Sequence, residues 1–142
     1  MSEAMLPVFD KTVQITNLWL KNVMDRMGDS DRHHAYVALR ATLQALRDRL
    51  PVNEAVHLGA QLPMLVRGFY YEGWHPAGTP VKEREKDVFV AHVREAFRAN
   101  PQVDAERAVR AVFGLLAERV TAGEIKDIKH VLPPEIRGLW PA

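Results

Sequence analysis

The chain has 142 residues, enough for one domain with a single substantial core. It is 47% hydrophobic and 26% charged, the composition of a globular protein and not of a disordered one. A formal charge of +1 argues against a protein whose main task is neutralising nucleic-acid phosphates, and the absence of cysteine excludes disulfides, thiolate nucleophiles and cysteine-ligated metals.

The first segment, MSEAMLPVFDK, carries Glu3 and Asp10 and no long apolar run, so a secretory leader is not expected. No run of apolar residues is long enough to span a bilayer, and a cytoplasmic location is expected by default. Val13, Leu20, Val23, Met24 and Met27 then predict a long first helix. Leu39, Leu43, Leu46 and Leu50 recur at helical spacing and predict a second. Ala55, Leu58 and Leu62 mark a shorter third. Pro63 suits the first turn of a one-turn final helix, which Gly68 is expected to stop. Gly73, Pro76, Gly78 and Pro80 predict a connecting loop rich in aromatics.

After the loop the pattern returns. Phe89, Val93, Ala96 and Phe97 predict one helix, and Val109, Phe113, Leu116 and Val120 the next. Ile125, Ile128 and Leu132 follow, then Pro133 and Gly138. The segment from Ala35 to Tyr71 aligns without a gap on the segment from Ala105 to Pro141, at a constant offset of 70 residues. Identical pairs include Arg40/Arg110, Arg49/Arg119, Glu54/Glu124, Leu62/Leu132, Pro63/Pro133, Arg67/Arg137 and Gly68/Gly138. Chance would supply only about two identities in such a window. No stretch alternates with the period of two that a half-buried strand requires. The expected fold is therefore all-α: one compact helical bundle from an internal duplication of a three- to four-helix unit, related by a pseudo-two-fold. The whole chain, 1–142, would form one domain, with repeat one at 10–71, a connector at 72–79 and repeat two at 80–141.

The runs ALRATLQALRDRLPVNEAVHLGAQLPMLVRGFYYEGW and AERAVRAVFGLLAERVTAGEIKDIKHVLPPEIRGLWP carry a resemblance. The chain resembles the prokaryotic family catalogued as domain of unknown function 2267, over nearly its whole length. The resemblance implies an all-α bacterial cytoplasmic protein and brings no activity, substrate or catalytic residue.

Several polar and aromatic residues invite a functional reading. Thr121 and Glu124 have the spacing of a capping box, in which the hydroxyl and the carboxylate each take a backbone N–H; in the first copy Pro51 removes half of that device. Arg49 and Arg119 fall where the end of a helix favours a cation, near those glutamates. Arg40, Arg67, Arg110 and Arg137 are candidate anion contacts, because a planar guanidinium grips carboxylate or phosphate bidentately. Tyr70, Tyr71, Trp74, His75 and Trp140 are a candidate partner or ligand surface, with a loop stapled to the bundle by its aromatics as the plain alternative. The histidines are scattered: His33 and His34 diverge on a helix, and His57 matches Asp127 in the second copy. No metal, cofactor or catalytic site is predicted.

A non-catalytic module that binds a protein partner or self-associates is the first functional expectation. The alternative is a small anionic ligand binder or enzyme with its pocket between the repeats. Weak nucleic-acid binding comes third.

Overall fold

Pro7 opens the first helix, where its missing N–H costs nothing. In the computed structural model, which describes residues 6–142, this helix α1 spans Pro7–Met27. The reading of the first five residues, Glu3 included, lies outside the described residues. Gly28, at φ 66°, ends α1 in the left-handed conformation, and the backbone there returns N–H bonds to Met24 and Asp25 carbonyls. Helix α2 spans Arg32–Arg49, with the Asp31 carboxylate accepting from the His33 N–H at 2.8 Å. Next come α3 (Val52–Ala60), α4 (Met64–Tyr71) and a 3-10 turn at Pro76–Gly78. Helices α5 (Lys86–Ala96), α6 (Ala105–Arg119), α7 (Ala122–Val131) and α8 (Pro134–Arg137) complete the chain. Among the described residues every regular element is helical, and none of the helices is long and apolar enough to cross a membrane.

Packing follows the predicted apolar stripes. Leu39, Leu43, Leu46 and Leu50 of α2 and its end are fully buried, as are Val109, Phe113 and Leu116 of α6. Each such side chain stabilises the fold by about 1.5–3 kcal/mol relative to exposure. Helix α2 packs against α1, α5 and α6, and α6 packs in turn against α1 and α5, so these four helices enclose one core. Helix α4 lies on α1, α2 and α3, α8 lies on α5, and α3 meets α7.

Two local expectations give way. Gly68 does not stop α4, which runs on to Tyr71. A side chain at Gly68 would meet open space, so nothing there forces a turn. Tyr70, two residues later, is fully buried and donates its hydroxyl to the Ala55 carbonyl at 2.6 Å, which holds the second turn of α4 in place. Val13, expected on the buried stripe of α1, is 39% exposed. Downstream, the irregular segment continues to Glu85 before α5 begins, pinned to the end of α2 by the Val81 N–H on the Asp48 carbonyl at 2.8 Å.

Arg67 and Arg137 close helix ends. Arg67 donates from Nε to the Gly59 carbonyl and from Nη2 to the Leu62 carbonyl, both at 2.8 Å. Arg137 does the same to Lys129 at 2.8 Å and Leu132 at 2.9 Å, capping α7 as Arg67 caps α3.

Candidate functional site

The arginines that sequence reasoning grouped as helix-end cations part company in space. Arg119 is exposed, whereas the Arg49 side chain is only 3% exposed. Arg49 lines an open cleft of about 530 Å³ between α2 and α5, bordered by Val81 and Glu83 of the connecting segment. Its Nη1 donates to the Ala45 carbonyl at 2.9 Å and its Nη2 to Glu83 Oε1 at 2.5 Å. The guanidinium carbon stands 4.9 Å from the centre of the Phe89 ring, a cation–π contact. Burial lowers its pKa, opposed by Glu83 and Asp48. Its Nε is buried and has no hydrogen-bond partner. A buried donor left unpaired costs about 1–3 kcal/mol, more when it belongs to a charged group.

Three further arginines reach the cleft. Arg47 donates to the Tyr70 and Glu72 carbonyls at 2.8 and 2.9 Å and to Asp48 at 2.9 Å, so it chiefly fastens the end of α4 to α2. Arg40 donates to Glu72 at 2.8 Å, a bond that raises the Arg40 pKa. Arg98 is paired with Glu95 at the exposed rim. His92 Nε2 lies 3.1 Å from Glu83 Oε1 on the same wall. Four guanidiniums therefore line the cleft, and each is paired with a carboxylate: Arg40 with Glu72, Arg47 with Asp48, Arg49 with Glu83 and Arg98 with Glu95.

A second cluster forms where α3 meets α7. Thr121 accepts from the Glu124 N–H at 3.3 Å, the first half of the expected capping box. The second half is absent: the Thr121 N–H donates instead to Gln61 Oε1 at 2.9 Å, and Gln61 Nε2 donates to the Thr121 hydroxyl at 3.1 Å. Gln61 thus bridges the two halves of the chain and frees the Glu124 carboxylate, which turns toward Glu54. Glu124 is 7% exposed, and Oε2 of Glu54 and Oε2 of Glu124 are both buried without a donor. Burial, then hydrogen bonding and repulsion from Glu54, push the Glu124 carboxyl up to about 8. His57 Nδ1 lies 3.9 Å from Glu54 Oε2.

A family model described as "Uncharacterized conserved protein (DUF2267)" matches residues 16–139. The chain belongs to the DUF2267 family. No curated protein matches the chain.

In this DUF2267 chain the residues singled out from sequence do not converge on one place. Of the anion candidates, Arg40 lines the cleft, Arg67 and Arg137 are helix caps, and Arg110 pairs with Glu106 while reaching the Gly138 carbonyl at 3.3 Å. Of the aromatic candidates, Tyr70 is fully buried and Trp140 is 5% exposed, stacked on Phe113 with ring centres 4.2 Å apart. Tyr71 and Trp74 stack on each other at 5.4 Å and are half-buried against the core, leaving His75 exposed. Trp74, stacked on Tyr71, holds the DUF2267 connector against the bundle. Sequence reasoning singled out Arg49 as a helix-end cation without foreseeing its burial beside Glu83 and Phe89, and it missed His57 as a neighbour of the glutamate pair. The second had a signal: Glu54 and His57 are one helical turn apart and so share a face.

Proposed function

We propose that the protein binds a small anionic ligand, a carboxylate or phosphate, in the cleft between α2 and α5. The observation that carries this reading is the buried, unpartnered Nε of Arg49 in a cleft lined by four guanidiniums. A carboxylate or phosphate oxygen there would take the free Nε–H and gain a charge-assisted hydrogen bond in a partly desolvated setting. Isothermal titration of the full chain with orthophosphate and with succinate tests it. Arg40→Ala together with Arg98→Ala, both at partly exposed positions, should weaken binding about tenfold, or ~1.4 kcal/mol. No heat from either anion, or equal affinity in the double variant, contradicts the reading.

The same reading takes the cleft to lie between two copies of one helical unit, at 10–71 and 80–141. Two observations support a duplication with a pseudo-two-fold. The matched arginines cap α3 and α7 through matched carbonyls, at the offset of 70 residues. The pairing of α1 with α6 is answered by that of α5 with α2, while α3 meets its counterpart α7.

Self-association is the second reading. Phe9 and Val13 on α1 and Met64 and Leu65 on α4 are exposed, beside the hydrogen bond of the Leu65 N–H to the Thr12 hydroxyl. That reading requires a dimer by light scattering at high concentration.

A further inference from the structure

Glu54 and Glu124 come from different halves of the chain, yet α3 and α7 bring them face to face. Two carboxylates in contact repel unless a proton or a cation lies between them. Among the described residues no lysine or arginine does: neither glutamate has a salt bridge to one, and the buried Oε2 of each has no donor. The nearest complementary group is the imidazole of His57, one turn after Glu54 on the same face of α3. One donor atom each from Glu54, His57 and Glu124 lie within 4.8 Å of one another.

We propose that Glu54, His57 and Glu124 are the ligands of a divalent transition-metal site, of the zinc or manganese class, that ties α3 to α7. The donor set favours that class: imidazole and carboxylate together suit zinc and manganese, whereas calcium requires six or more oxygens. Bonds of about 2.0–2.2 Å to one ion need donors about 3.4 Å apart, a short side-chain rotation from the spacing seen. The His57 side chain is 65% exposed, so the ion would sit at the edge of the α3–α7 contact and keep a position for water. Glu124, a residue only 7% exposed whose buried Oε2 has no hydrogen-bond donor, supplies the interior ligand. No other described histidine offers the same arrangement. His34 turns Nδ1 to Asp29 at 2.7 Å and Nε2 to Asp31 at 3.5 Å, so its two carboxylates lie on opposite sides of the ring.

The test is a zinc chloride titration, followed calorimetrically, of full-length protein that carries no histidine tag and has been stripped with a chelator. The site predicts one ion per chain, and a shift of the His57 imidazole nitrogen resonances on binding. His57→Ala, at an exposed position that the fold does not need, should weaken zinc binding at least tenfold. Glu124→Gln should do likewise, while magnesium at equal concentration should not compete. Unchanged zinc affinity in His57→Ala overturns the proposal, as does the absence of stoichiometric binding; either leaves a carboxyl pair that shares a proton.

Discussion

Tyr70 illustrates what a single residue's placement changes. In the sequence it belongs to an aromatic run that could face a partner; in the fold it is fully buried, its ring 4.9 Å from that of Tyr71 and its hydroxyl on the Ala55 carbonyl. Burial first, then Tyr71, raise its phenol well above the ordinary tyrosine range. The unfolded chain therefore releases this proton first as pH rises past about 10, and the stability tied to the neutral phenol is present below that pH and lost above it. Tyr70→Phe should cost about 1–2 kcal/mol at pH 8, because the Ala55 carbonyl loses its partner. It should also flatten the fall in stability between pH 9 and about 11, read from urea melts. An unchanged alkaline slope would contradict this account. The arginines teach the same lesson. Residue type told that Arg67 and Arg137 would seek oxygen atoms, but not that backbone carbonyls at the ends of α3 and α7 would supply them. Nor could it separate Arg49 from Arg119, since their difference arises from Glu83 and Phe89, brought to Arg49 by other elements.

At the scale of elements, periodicity was a good guide and punctuation a weaker one. The stripes of α2 and α6 are buried as the spacing of Leu39, Leu43 and Leu46, and of Val109, Phe113 and Leu116, requires. Gly68 misled because a glycine permits a stop without compelling one, and the core anchorage of Tyr70 keeps α4 helical beyond it. Gly68 has no positive φ, and an added methyl group would touch nothing. Gly68→Ala should therefore stabilise the protein by about 0.5–1 kcal/mol, through helix propensity and a less flexible unfolded chain. Thermal melts should move up by a few degrees; a lower midpoint would show that the site needs glycine for another reason. Gly59 is the opposite case, since the Tyr71 hydroxyl occupies the space a side chain would take.

For the molecule as a whole, the all-helical architecture was legible because each helix carries its own periodic signal. The cleft was not, because it belongs to no single element: α2 supplies Arg40, Arg47 and Arg49, α5 supplies His92, and the connecting segment supplies Val81 and Glu83. The glutamate pair was half legible. Duplicated Glu54 and Glu124 stood out in the sequence, and capping explained them until Gln61 took over the Thr121 N–H. The proposed anion would contact Arg49, and the side-chain Nε–H resonance of that residue would report on it most directly. Nitrogen-15 spectra recorded during an orthophosphate titration should show the Arg49 Nε–H shifting and becoming slower to exchange, together with the amides of Asp48 and Glu83. An Arg49 signal that stays fixed while only exposed arginines such as Arg98 respond would contradict the account.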